Sequence, residues 1–436
     1  MQERLPFCAI LPRKGSGGLM SANQPARCTM LMLLSLLLIS RGVGKIHCSP
    51  VPDNTTDRLW LLDFKAVIKD PGQNLKSWNN RTPHCQWKGV HCRLHRKHIG
   101  RVTALNLARQ NLHGQIAPSL GNLTFLRELD LYSNNFFGQL PTFNRLRRLQ
   151  TLDLGNNKLQ RFNPDALKNC SNLQYLHLSA NSMAGPLPPD IGSLSSLLYL
   201  YLDTNNFTGI IPPSLHNITN LIEISISSNQ LQGSIPEELG QLPNMTWLNL
   251  GRNRLSGRIP ATILNHSVLE LLDLNSNFLQ MKLPSNIGDT LPNLGWLYLD
   301  DNMFHGPIPA SLGNSSYLQI MSFVSNSFTG QVPSSLGKLS YLYYLNLETN
   351  KLEANDSESW EFLDALSNCS GLQTLSLSDN QLQGTIPNSV GKLSPGLQYL
   401  LLDTNNLYGT VPESIGNLTG LLKLSLAQNN LVGPIP

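Results

Sequence analysis

The chain has 436 residues, of which 41% are apolar and 14% charged, with a formal net charge of +4. So small an excess, with no lysine- or arginine-rich run, excludes the electrostatic track of a nucleic-acid binder. A chain this long and apolar can bury a large core.

The N-terminal residues read as an export leader. Met30 to Ile39 (MLMLLSLLLI) is an apolar stretch preceded by Arg27, and Gly42-Val43-Gly44 supplies small residues for cleavage. That stretch is shorter than the about 20 residues needed to span a bilayer. Residues 1–44 are therefore expected to be a leader, with Met20 or Met30 as alternative starts. No second apolar run of spanning length follows, so membrane insertion by this chain is not expected. Twelve N-x-S/T sequons do follow, at Asn54, Asn80, Asn122, Asn169, Asn206, Asn217, Asn244, Asn265, Asn314, Asn355, Asn368 and Asn417. With the leader they point to a glycosylated, secreted or cell-surface protein.

A separate unit, Asp57 to Cys92, precedes the rest. Arg58 to Ile68 (RLWLLDFKAVI) is apolar at helical spacing, followed by Pro71-Gly72, Trp78 and Cys85-Gln86-Trp87-Lys88-Gly89-Val90-His91-Cys92. A Cys85–Cys92 disulfide would staple so small a unit in an oxidising compartment.

From Arg101 to the last residue one segment recurs in about fourteen copies, L-x-x-L-x-L-x-x-N-x-L-x-G-x-I-P-x-x-L-G-x-L-x-x. Its asparagine slot holds Gln110 and then Asn134, Asn157, Asn181, Asn205, Asn229, Asn253, Asn277, Asn302, Asn326, Asn350, Asn380, Asn405 and Asn429, mostly 24 residues apart. A fixed period in this range with leucines at these offsets specifies a leucine-rich solenoid. The expected fold is an α/β solenoid with a concave parallel β-sheet, short or 3-10 helices and turns on the convex side, and an N-terminal helical disulfide cap. In each unit L-x-L is a short strand with its leucines inward and the x residues outward. Each slot asparagine turns inward to bond backbone groups otherwise buried unpaired. The first repeat would expose leucines without a cap, which residues 53–100 supply ahead of repeats 101–436. Repeats three, eight and eleven (KLQRFNP, FLQMKLP, KLEANDS) depart from G-x-I-P and are expected to be less regular. The interval from Asn350 to Asn380 is 30 residues, and its extra residues, with Trp360, Phe362, Leu363 and Leu366 at helical spacing, predict a longer outer helix. Cys170 and Cys369 occupy a leucine slot and read as small buried hydrophobes.

The cap motif W-x6-C-x-W-x-G-V-x-C, followed by L-x-G-x-I-P repeats, resembles the plant extracellular leucine-rich-repeat class. The NCS-L-Q-x-L-x-L phrasing and the WEFLDALSNC insert are similar to one branch of its receptor kinases. That branch includes the plant receptors for flagellin and elongation factor Tu and a rice blight-resistance receptor. The resemblance covers residues 53–436. It implies an extracellular domain that binds a peptide or protein, for defence or developmental signalling, at the plasma membrane in full-length members. It also implies a co-receptor ectodomain as a second partner. Members of the branch continue into further repeats, a membrane helix and a Ser/Thr kinase, whereas this sequence stops at Gly433-Pro434-Ile435-Pro436, midway through a repeat. It has no H-R-D or D-F-G motif, so no enzyme and no cofactor are expected. The reading is a receptor ectodomain ending before the membrane helix. The alternatives are a secreted inhibitor of a microbial wall-degrading enzyme and a non-functional receptor fragment.

Two cysteines and three histidines, Cys85, His91, Cys92, His95 and His98, could in principle ligate zinc. The C-x6-C spacing matches the cap disulfide instead, so no metal is expected. Acidic residues recur at outward positions (Asp130, Asp153, Asp203, Asp273, Asp300, Asp403) and are expected to be solvated rather than catalytic, since an open sheet offers no shelter to shift one carboxyl. The binding signal is aromatic. Outward positions hold Tyr175, Tyr199, Tyr201, Trp247, Trp296, Tyr298, Tyr344 and Tyr399, all expected to face solvent, where such rings anchor binding hot spots. Asp203, Asp300, Asp301, Glu348 and Asp403 accompany them, with Arg252 as the basic exception. That balance favours a basic or neutral extended peptide.

Overall fold

A computed structural model describes residues 55–94, 98–162 and 164–436. The leader, Cys8, Cys28, Cys48, the Asn54 sequon and His95 lie outside the described residues. The first described element is a helix, Thr55–Ala66, which buries Leu61 and Phe64. Phe64 stacks on Phe136 of the repeats at 6.0 Å, and Trp78 stacks on Trp87 at 5.4 Å. Cys85 and Cys92 form a disulfide with a Cα–Cα distance of 5.5 Å. The buried Asp57 carboxylate accepts from Arg101 Nε at 2.9 Å and from the Val102 amide at 2.9 Å, tying this helix to the first repeat strand.

Val90–Cys92 pairs antiparallel with Val102–Asn106, and from there every strand is parallel, giving one sheet of fifteen strands. The three-residue strands align without slip, for example Tyr199↔Glu223, Leu200↔Ile224 and Tyr201↔Ser225. The central apolar residue of the repeat strands, leucine in most and Ile224 and Met321 in two, points into one continuous spine; Leu129, Leu152, Leu176, Leu200 and Leu248 are all fully buried, while Leu424 at the last strand is 38% exposed. Behind the spine lie 3-10 turns such as Pro213–Asn217 and Glu237–Gln241. Short second strands form further sheets of nine and six strands, parallel except where Ile68–Lys69 of the cap pairs antiparallel with His113–Gln115.

The slot asparagines connect the coils. Asn253 Nδ2 donates to the Ile226, Leu250 and Gly251 carbonyls at 3.1–3.2 Å, while its Oδ1 accepts the Leu231 amide at 3.0 Å. Because Asn229 also donates to Ile226 and Asn277 to Leu250, each of those carbonyls serves two successive coils. Gln110 does not join this ladder: its Nε2 donates to the nearby Ala108 carbonyl and its Oε1 accepts from Lys88 in the cap. The residue before each slot takes a left-handed backbone, as at Thr204 (φ 56), Ser228 (φ 53) and Arg252 (φ 53). This conformation costs a non-glycine residue about 1–2 kcal/mol, which the asparagine's four bonds offset.

The insert forms a helix, Glu361–Leu366, whose Phe362, Leu363 and Leu366 are buried. Tyr344–Asn346 still pairs in register with Thr374–Ser376, so the long sheet passes the insert unbroken. Repeat three shows a register shift at Gly138/Gln139. At repeat eight the second sheet divides, with an isolated bridge between Lys282 and His305 and a bond from the Met303 amide to the Leu279 carbonyl across the gap. Cys170 and Cys369 are buried free thiols that face the Phe143 and Leu336 carbonyls. Burial pushes them up to about 12 and about 11.

Candidate ligand-binding face

Strand pairing turns the outward residues into columns running across the coils. One column contains Tyr175, Tyr199, Trp247, Trp296, Tyr344 and Tyr399, and the neighbouring one contains His177, Tyr201, Asp273 and Tyr298. The strands are only three residues long, so these positions are rigid and about 4.8 Å apart from coil to coil.

The aromatic side chains do not stand free in solvent as expected. All are half-buried except Tyr399, which is 38% exposed. For Tyr175, Tyr199, Tyr201, Trp247 and Trp296 the cause is that they lean on one another. Tyr175 lies 6.2 Å from Tyr199 and 5.7 Å from Tyr201, ring to ring. Trp247 and Trp296 approach to 6.1 Å over Leu271, an outward leucine that is left only 5% exposed. Such contacts hold the rings in place and lower the entropy lost on binding.

His177 completes the first cluster and was not expected. It contacts Tyr175 at 6.1 Å, Tyr201 at 5.8 Å and Tyr132 at 5.7 Å, and its Nδ1 lies 2.9 Å from Asp153 Oδ1. It reaches Tyr132 because Gly155 lies between them: a Cβ there would come within 2.5 Å of the imidazole. Sequence could have found it, since His177 occupies the same outward position as Tyr201. The Tyr201 hydroxyl donates to the Glu223 carboxylate, a second contact not foreseen.

The acidic residues are also less solvated than expected. Asp130, Asp153, Asp203, Asp273, Asp300 and Asp403 are all half-buried. Burial raises Asp273 to about 6 against the opposing bond from the Asn275 amide, with nearby Asp300 adding to the rise. Burial likewise raises Asp300 to about 6, although it accepts the Val324 amide at 2.8 Å. Glu348 is raised by burial and by Asp403, and Tyr175, Tyr201, Tyr298 and Tyr344 are raised by burial first. The carboxylates nearest Tyr175, namely Asp153, Asp130 and Glu223, all push its hydroxyl the same way. Asp203 and Asp403 instead accept from Ser179 and Ser378 at 2.6 and 2.7 Å. Arg252 and Asp301 sit at the left-handed turns beside the sheet, both exposed.

The remaining candidates fall elsewhere. The cap cysteines are joined to each other, so their sulfurs are not available as a thiolate pair, and His84 beside them donates from Nε2 to the Gly100 carbonyl at 2.9 Å. His98 packs on Phe125 at 4.8 Å and His91 is exposed. Of the sequon asparagines, Asn80, Asn169, Asn206, Asn217, Asn244, Asn265, Asn314, Asn355, Asn368 and Asn417 are exposed and Asn122 is half-buried. None of them lies in a strand of the long sheet. Among the described residues no helix is long and apolar enough to cross a membrane.

Family models cover the cap and most of the repeats: "Leucine rich repeat N-terminal domain" at residues 54–93, "Leucine rich repeat" at 124–183 and 193–255, and "Leucine-rich repeat region" at 230–431. A leucine-rich-repeat protein of Leptospira interrogans is 32% identical with a TM-score of 0.61, the match covering 75% of this chain and 79% of that one. The chain belongs to the leucine-rich-repeat family. Within it, the sequence relatives are plant receptor kinases. The rice receptor kinase-like protein Xa21 is 51% identical over 82 residues, 18% of this chain and 8% of its own length. The plant peptide hormone receptor RGFR1, solved in complex with RGF2, is 36% identical with a TM-score of 0.69, covering 76% of this chain and 52% of the receptor. The leucine-rich-repeat chain spans about one tenth of the length of the curated relatives it matches. It is a repeat domain of their extracellular class, and the kinase in their names is no part of its cap or repeats.

Proposed function

We propose that the long sheet captures an extended peptide or protein segment, without catalysis, as the recognition part of a plant receptor for defence or developmental signalling. The observation that carries this reading is the pair of pre-packed aromatic clusters on the sheet, Tyr175 with Tyr199 and Tyr201 and then Trp247 with Trp296, on a face free of sequons. If the exposed sequon asparagines carry glycans, those glycans stand on turns and, at Asn206, on one second-sheet strand, and leave the aromatic face open. Asp153, Glu223, Asp273, Asp300 and Glu348 bias this face toward a basic or neutral ligand. The complex of the related peptide hormone receptor RGFR1 with RGF2 supports a peptide ligand for a domain of this build. In a full-length receptor at the plasma membrane, the bound ligand would be shared with a co-receptor ectodomain.

The test is selection from a phage library of extended peptides on the wild-type chain and on a variant carrying Tyr199, Tyr201, Trp247, Trp296 and Tyr298 all as alanine. The wild type should enrich a basic or neutral family that the variant loses, with circular dichroism showing both folded. Equal enrichment of the same peptides by the folded variant refutes the assignment of this face.

A further inference from the structure

The geometry points to a second binding site, on the opposite strands, for an acidic oligosaccharide. It lies where the second sheet divides, a cleft of about 490 Å³ lined by Gly257, Arg258, Gln280, Met281, Lys282 and His305. That volume lies within the range of about 300–1,000 Å³ typical of ligand sites and exceeds what a single inorganic ion fills. The cleft is built by the sequence of repeat eight. Met281 stands where neighbouring repeats carry Gly257 and Gly306, both with left-handed backbones, and its thioether takes the Ile259 amide at 3.4 Å. Regular strand pairing lapses there, leaving the Lys282–His305 bridge and the bonds from the Met303 and His305 amides to the Leu279 and Met281 carbonyls at 2.8 and 3.2 Å.

Every ionisable lining group is basic, and no carboxylate lines the cleft. Among the described residues none of Arg258, Lys282 and His305 makes an ion pair. A cleft lined by one sign of charge concentrates counter-ions. The Lys282 stem lies across Gly306, its Cγ and Cδ 3.0 and 3.2 Å from where a Cβ would stand, which the glycine alone permits. Outside the cleft lining, Phe278 stands four residues before Lys282 on the same outward side of the alternating chain, about 13 Å along it; it is 54% exposed, and Met303 on the next coil is 45% exposed. Lysine at a broken sheet edge also blocks edge-to-edge pairing, but that role needs no apolar platform beside it. Arg258 and Lys282 occupy equivalent positions on successive coils, about 4.8 Å apart along the stack. An anion repeated ring by ring, with an apolar ring face for Phe278 and Met303, matches this pattern. No described sequon lies on these coils' second strands, and the site does not depend on the proposed peptide face.

Isothermal titration of the full chain at low salt tests it, with a uronic acid hexamer, its uncharged methyl ester, inorganic sulfate and hexaglutamate as probes. The acid hexamer should bind, the ester should not, and sulfate and hexaglutamate should bind far more weakly. Arg258→Ala/Lys282→Ala should weaken hexamer binding about tenfold or more, and Phe278→Ala should weaken the hexamer without affecting sulfate. All three side chains are exposed, so the variants keep the fold. Equal binding of the ester, equal binding of hexaglutamate with no effect of Phe278→Ala, or unchanged affinity in the double variant each overturns the proposal.

Discussion

Replacing Asn253 tests whether the ladder works through its amide donors. In Asn253→Ala the Leu231 amide loses its acceptor, and a buried orphan N–H costs about 1–3 kcal/mol. The Ile226 and Leu250 carbonyls each lose one of two amides but keep the other, from Asn229 and Asn277, so those losses are about 0.5–1.5 kcal/mol apiece. The sum is about 2–6 kcal/mol, with the left-handed Arg252 no longer supported. Asn253→Asp separates the two roles of the side chain. A carboxylate can still accept from Leu231, but it faces the three carbonyl oxygens to which the amide donated, and the site is 7% exposed. Aspartate should therefore destabilise at least as much as alanine, although it is the closer isostere. Urea denaturation followed by circular dichroism gives the totals, and hydrogen exchange at Leu231 gives the local effect. A loss below about 1 kcal/mol, unchanged protection at Leu231, or aspartate milder than alanine would refute the reasoning.

Asp273→Asn should act through pH. The folded state holds this proton more tightly than the unfolded chain, so the charged group costs stability above about 6, and the cost fades as pH falls toward 4. The variant should gain about 1–2 kcal/mol near neutral pH after allowance for solvent screening, and nothing near pH 4; equal gains at both, seen by urea titration, contradict it. Asp57→Ala should cost about 3–5 kcal/mol by leaving Arg101 and the Val102 amide without their shared acceptor, and protection should be lost first in Val102–Asn106; a uniform small loss along the array contradicts that coupling. Cys85→Ser/Cys92→Ser should cost about 2–3 kcal/mol, the loop entropy for a separation of 7 residues, read as a lower melting temperature under non-reducing conditions; an unchanged melt contradicts it.

Most of the architecture was legible because the solenoid repeats one decision. A leucine at a fixed offset can bury itself only against the same leucine one coil away, so Leu200 and Leu248 announce the spine and Asn253 the ladder. The helix at Glu361–Leu366 and the Cys85–Cys92 staple were readable for the same local reasons. What was hidden depends on contacts between coils. Whether Trp247 stands in water is settled by Trp296 two coils away, and His177 gained its place from the missing side chain of Gly155. FLQMKLP and KLEANDS depart alike from the pattern, yet the first divides the second sheet while the second keeps its pairing, Glu353↔Gln381. The difference lies in what the next coil offers, and a single unit does not contain it. The roles of the aromatic residues as ligand contacts belong to the proposal above.

The helix at Glu361–Leu366 adds length to its coil without displacing Tyr344 from Thr374. Backbone pairing thus fixes the pitch of the aromatic columns, and extra residues are absorbed on the far side. A sequence of this build can therefore lengthen, shorten or diversify its outer loops freely while a bound chain meets an unchanged ruler. Altering what the ruler reads requires substitutions in the three-residue strands, not insertions.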